Sequence, residues 1–308
     1  MLVPDKKLSW LNLVFALKGS ALARIRYRLL AVLLLSFVLT GIQYYHIWDP
    51  VIPLSSLSLV GLVLGIFLGF RNNTSYDRFW EGRKLWGSLV NTSRSITREI
   101  LFFLPDEGAT GASPRQREMV HLIIAYVHSL RLHLRGQLTP DALADWLTQE
   151  QQDKLQNQSN APNALLLDLA RRINLAYNEG LMGENRLIAL EERMVDLSNI
   201  QGGCERIRNT PIPISYSILI HRIVALYVFA LPLSLVPTLQ FATPLAVLVV
   251  AYTILGLDAL GEELEDPFGE EPNDLPLLSL STMIECNLRD ALGEERPQAS
   301  QPVNGILN

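Results

Sequence analysis

Residues 51–87 read VIPLSSLSLVGLVLGIFLGFRNNTSYDRFWEGRKLWG, and the organisation of the whole chain hangs on this stretch. Leu62, Ile66 and Phe70 recur every four residues, beside Gly61, Gly65 and Gly69 at the same spacing. That interval lays each set along one side of a helix. A glycine track lets another helix approach closely, and leaves the bulky track to face a partner or an axis. The run carries no charge until Arg71, where it turns polar without an obvious helix stop. Three readings fit: a membrane-spanning packing helix, a buried core helix, or a helix lining a pore.

Working outward, charge distribution favours a membrane. Of 308 residues 49% are apolar, and four blocks are nearly free of charge: 29–48, 51–70, 223–239 and 241–257. A bilayer core takes about 20 helical residues, with about 17 as a lower end. The first two blocks fit well and the last two are borderline. Lys6, Lys7, Lys18, Arg24, Arg26 and Arg28 precede the first block, and Arg71, Arg78, Arg83 and Lys84 follow the second. Arg206, Arg208 and Arg222 stand before or at the start of the third, whereas the links between paired blocks carry no basic residue. By the positive-inside tendency, both termini and the middle of the chain lie in the cytoplasm. The rival is a soluble helical protein with buried hairpins. The predicted organisation is a cytoplasmic amphipathic segment (1–28), a transmembrane hairpin (29–70), a helical cytoplasmic region (71–211), a second hairpin (212–258), an acidic hinge with a helix (259–293) and a mobile tail (294–308).

Helical periodicity extends beyond the blocks. No proline occurs between Pro53 and Pro105, so one long helix, or two with a break near Asn72 to Ser75, leaves the membrane. At 1.5 Å per residue, 45 such residues reach about 68 Å. Further helices are predicted over 115–134, 165–178, 185–208 and within 273–290, with Thr139-Pro140-Asp141 as a helix start. Trp10, Leu11, Val14 and Phe15 suggest a short helix at the membrane surface or against the cytoplasmic part. Tyr44, Tyr45, His46 and Trp48 suit an interface.

Chemical signatures are sparse. Neither a dinucleotide fingerprint nor a phosphate loop is present, and no nucleophile has a neighbouring base, so the reading is not an enzyme. A net charge of −5 gives no support for nucleic-acid binding, the basic residues being flanks of apolar blocks. The two cysteines, Cys204 and Cys286, are too few for a disulfide scaffold. His121 and His128, seven apart, fall on one helix face, but no close Cys or carboxylate completes a zinc set, which favours satisfied histidines. The acids from Glu262 to Asp274 either ligate a hard cation or form a solvated turn pairing with basic flanks. One copy of four spans hardly encloses a path along Leu62, Ile66 and Phe70. Several copies around an axis do, and apolar rings gate by dewetting.

At these residues the chain resembles the bestrophin channel family, in its bacterial branch. The likeness rests on GLVLGIFLGFRNNTSYDRFWEGRKLWG (61–87), QGGCERIRNTPIPISY (201–216) and LDALGEELEDPFGEEPNDLPL (257–277), and extends over nearly the full length. It implies an all-α membrane protein of four spans, a homopentamer of the bacterial inner membrane around one central ion path. Leu62, Ile66 and Phe70 match the family's three-ring neck. A second constriction falls near Met182 to Leu187, with Glu184 the aligned residue, where bacterial relatives carry an apolar one. Glu271 and Asp274 match acidic positions of a calcium clasp found in animal members, although Pro272 and Asn273 replace acidic residues there. The resemblance implies passage of monovalent cations, sodium or potassium, with an anion channel and a non-conducting scaffold or sensor as alternatives.

Overall fold

A computed structural model describes residues 10–17, 19–48, 52–105, 111–156, 158–298, 302, 305 and 307. Lys6, Lys7, Lys18 and the first interhelix link at Asp49 and Pro50 lie outside the described residues, as does much of the tail. The described residues contain helices and no strand.

The helix predicted beyond Pro53 is α3 (Leu54–Phe103), 50 residues without a break, or about 75 Å. Helix α1 (Trp10–Val14) precedes it, then α2 (Leu22–Tyr44). After α3 come α4 (Pro114–Arg135), α5 (Gln149–Gln156), α6 (Ala161–Asn178) and α7 (Glu184–Asn209). The chain closes with α8 (Ile214–Leu239), α9 (Thr243–Glu265) and α10 (Leu277–Leu292). Local chemistry sets these ends. Ser113 and Gln116 form a reciprocal capping box ahead of Pro114, and Gly136 closes α4 at φ 67°. Asn160 caps α6 through the Asn163 amide. Gly293 ends α10 at φ 69°. Thr139-Pro140-Asp141 starts only a short 3₁₀ turn (Pro140–Leu143), and the Thr139 side chain makes no capping bond.

Three stretches are long and apolar enough to cross a membrane: Leu22–Tyr44, part of Leu54–Phe103, and Ile214–Glu265. The last is two helices packed on each other, joined by the turn Gln240–Ala242. Pro232 and Pro237 lie inside α8, a placement that membrane helices tolerate when neighbours satisfy the freed carbonyls.

Packing shows how the apolar blocks meet. Helix α9 lies against α2, α3 and α8, whereas the backbones of α2 and α3 do not approach each other. Residues 29–70 are therefore not a packed hairpin: the most central apolar helix is the last one. Its side chains Val247, Ala251, Leu255 and Ala259 join Ile25, Val32, Leu64, Leu68, Val224 and Val228 in one buried cluster. The boundaries at 70/71 and 258/259 fall inside α3 and α9. No break occurs at Asn72 to Ser75, because Arg71 and Ser75 are buried and Asn72 occupies the space that Gly261, lacking a side chain, leaves on α9.

A second cluster fills the lower part, where α3 meets α4, α7 and α10. Trp86, Leu89, Ile96 and Ile100 are fully buried there, and Tyr126 donates to the Leu197 carbonyl at 3.0 Å. Phe268 inserts against α3 where Gly82 allows it. The tail is pinned at its start: Glu294 accepts from Arg117 at 3.0 Å and pairs with His121 at 2.9 Å.

Candidate functional site

Helix α3 has two dissimilar faces. Leu64, Leu68, Arg71 and Ser75 are buried against its neighbours. Leu62, Ile66 and Phe70 point away, 64%, 51% and 63% exposed. Water does not cover such a stripe without cost, and contiguous exposed apolar surface of this kind marks a contact with lipid or with another copy. Gly61 lies against Tyr227 of α8, close enough that a methyl group would collide with the ring. Gly65 and Gly69 have nothing within 4 Å of where a Cβ would stand. Within one chain, then, only the first of the three glycines packs.

Below Phe70 the same face turns polar. At 100° per residue, Asn73, Asp77, Lys84, Asn91 and Arg98 continue the line of Leu62, Ile66 and Phe70, and all five are exposed, as is Trp80 among them. Two cations against one carboxylate occupy this strip. Sequence reading missed it, although the 3.6-residue spacing was available.

Behind the stripe the charges are buried. Arg71 Nη1 donates to Asp258 Oδ1 at 2.7 Å, both side chains 1% exposed. Arg28 and His221 approach Asp258 Oδ2 at 3.9 and 3.7 Å. Residues from α2, α3, α8 and α9 thus converge on one carboxylate. Arg78 acts two turns lower. Its guanidinium donates to the carbonyls of Glu265 at 3.1 Å, Thr210 at 2.6 Å and Ile207 at 2.5 Å. Carbonyls at helix C-termini lack intrahelical donors, so a single arginine fastens the ends of α7 and α9 to α3. Both arginines read from sequence as membrane flanks only.

The acidic hinge follows α9. Asp274 accepts the Glu271 amide at 2.7 Å on Oδ2. Burial, then the neighbouring Asp266 and Glu263 carboxylates, push the Asp274 carboxyl up to about 7. Glu271 turns to Arg24, which also stands 4.0 Å from Glu263. Asn273 donates to Glu263 at 2.6 Å and to the Gly19 carbonyl at 3.1 Å, work that a carboxylate in its place is unable to do. Without a bound ion, the Glu271 carboxylate is held by an arginine and Asp274 Oδ2 by a backbone amide. Among the described residues no three His, Cys, Asp or Glu side chains are grouped to hold a metal.

Glu184 is the first residue of α7 and is exposed, following Gly183. A carboxylate in the first turn also suits the helix dipole. The histidines meet carboxylates from the C-terminal part. His128 and Glu285 pair at 2.9 Å in the interior, with the His128 ring stacked on Trp146 at 4.1 Å. Burial opposes the Glu285 charge, but hydrogen bonds from His128, Trp146 and Arg289 outweigh it and hold the carboxyl at about 2. Burial lowers His128, against the pull of Glu285. Burial likewise pushes the Cys204 thiol up to about 12.

Comparison with known proteins agrees with this architecture. A family model described as "Bacterial/Fungal Bestrophin protein" matches residues 1–290. The chain is 40% identical over 280 residues to a protein of Salmonella typhi named voltage-dependent anion channel-forming protein YneE, covering 91% of this chain and 90% of that one. A Ralstonia nicotianae protein named voltage-dependent anion channel-forming protein RSc3414 is 39% identical over 290 residues, covering 93% of each. A crystal structure of a bacterial bestrophin homolog from Klebsiella pneumoniae superposes with a TM-score of 0.83 at 34% identity, covering 88% of this chain and 99% of that one. The chain belongs to the bacterial and fungal bestrophin family, whose members are ion channels and not enzymes.

Proposed function

We propose that identical copies, five by family likeness, assemble with α3 turned inward and conduct monovalent anions passively across the bacterial inner membrane. In this reading α2, the upper part of α3, α8 and α9 each cross once, with both termini on the cytoplasmic side. Leu62, Ile66 and Phe70 form three apolar rings, and ions cross only when the constriction is wet. Below them the path widens along the exposed lower face of α3 and leaves near Glu184.

The observation that carries this reading is the exposed face of α3, apolar at Leu62, Ile66 and Phe70 and cationic at Lys84 and Arg98. Repeated around an axis, the cations raise the local concentration of anions. The relatives' names point the same way. The sodium or potassium expectation is replaced on these two grounds. The exposed Glu184, and Asp77 on the strip itself, favour cations. Purified protein in liposomes under a potassium chloride gradient separates the two: the reversal potential moves toward that of chloride here and toward that of potassium in the cation reading. Replacing Lys84 and Arg98 together by glutamine lowers the chloride preference, whereas Glu184→Gln leaves chloride favoured. An absence of flux from symmetric particles supports a scaffold instead.

A further inference from the structure

Between α2, α8 and α9 lies a cavity of about 260 Å³, with Val32, Val228 and Leu255 on its wall and Arg28, His221 and Asp258 at one end. Its charged end is chemically incomplete. Asp258 gives Oδ1 to Arg71, but Oδ2 is buried without a hydrogen-bond donor. The nearest donor-bearing side chains stand beyond hydrogen-bond reach of Oδ2, Arg28 at 3.9 Å and His221 at 3.7 Å. His221 Nδ1 is spent on the Ser217 carbonyl at 2.7 Å, which accepts only. A buried carboxylate oxygen without a donor is costly, so the end of the cavity suits a ligand that brings a hydroxyl. Arg28 is half-exposed beside it, and the carboxylate it approaches is already matched by Arg71. That leaves a surplus cation at the mouth of an apolar groove, at the charged end of the membrane helices.

We propose that this cavity binds a phospholipid from the adjoining leaflet, with part of an acyl chain along the wall, the phosphate on Arg28 and a headgroup hydroxyl donating to Asp258 Oδ2. Basic pockets between membrane helices select anionic headgroups in this manner. Phosphatidylglycerol supplies all three features, whereas phosphatidylcholine offers the phosphate without a donor and carries a balancing positive charge. The site rests on the membrane placement proposed above and not on conduction: a protein that passes no ions still binds the lipid if the assignment holds.

The test is native mass spectrometry of the purified full chain in mixed micelles holding equal amounts of phosphatidylglycerol and phosphatidylcholine with identical chains. The expected result is retention of phosphatidylglycerol over phosphatidylcholine by about fivefold. Arg28→Gln brings the two near parity, and Ala225→Trp, which fills the groove from its exposed edge, lowers retention of both. Glycerophosphoglycerol, the headgroup without chains, fails to displace the lipid at equal concentration. Equal retention of the two lipids by the unaltered protein overturns the proposal. So does an unchanged preference in R28Q, unchanged retention in A225W, or displacement by the free headgroup.

Discussion

The two halves of α3 are built in opposite senses. The upper half exposes Leu62, Ile66 and Phe70 and buries the charges of Arg71 and Asp258. The lower half buries Trp86, Leu89, Ile96 and Ile100 and exposes Lys84, Arg94 and Arg98. One helix, with one period, changes what it hides within about four turns of Phe70. The contrast teaches that the surroundings differ above and below. A protein surface in water follows the lower pattern, whereas a surface facing hydrocarbon or other copies permits the upper one. It also explains why α3 is unbroken. A rigid rod carries the register of the apolar stripe into the region beneath, where packing is dense.

The contrast predicts that disturbing the buried charges matters most. Arg71→Leu alone strands the Asp258 carboxylate and is expected to cost about 3–5 kcal/mol. The double variant R71L/D258L recovers most of that loss, since removing both members of a buried pair is often near neutral. Thermal unfolding in detergent of the two single variants and the double variant reads this out. Equal losses in all three contradict a pairwise origin.

The second expected effect lies beneath, at Glu285, where three side chains converge on one carboxylate. Glu285→Gln weakens this buried network by about 1–3 kcal/mol. Because the folded carboxyl sits at about 2, below its usual value of 4.5, its stabilising contribution is complete above pH 4.5 and is lost as pH falls from there through 2. The difference in melting temperature between E285Q and the unaltered protein therefore shrinks over that window. A constant difference is incompatible with this reading.

Asp274 has the opposite sign. Its folded carboxyl is raised to about 7 from 3.8, so its contribution is complete below pH 3.8 and is lost as pH rises through 7. Asp274→Asn mimics the protonated form. The variant matches the unaltered protein near pH 3.5 and melts higher near pH 8. A variant less stable at pH 8 than the unaltered protein removes the account of the hinge.

Sequence alone made much of this legible. The absence of proline between Pro53 and Pro105 revealed α3, and Ser113, Gly136 and Gly293 mark ends that follow from backbone chemistry. Pairings across the chain were hidden. Arg71 and Asp258 stand 187 residues apart, and periodicity identifies a face without naming what covers it. Gly65 and Gly69 have nothing within 4 Å of a Cβ position among the described residues, while Gly82 and Gly261, in no visible pattern, admit Phe268 and Asn72. The insertion of α9 between α2 and α3 was equally invisible, because adjacency in sequence suggested a hairpin. The cationic strip was within reach, had the spacing of Leu62, Ile66 and Phe70 been continued past Arg71.

The smallest effect on stability accompanies the largest on function. Ile66 is half-exposed in the single chain, and Ile66→Ala is expected to change the stability of the isolated subunit by no more than about 0.5 kcal/mol. Single-channel recording of I66A in reconstituted bilayers bears most directly on whether the stripe lines the path. A wider, wetter constriction predicts a higher unitary conductance with chloride still preferred. Conductance and open probability both equal to those of the unaltered protein contradict an inward-facing stripe.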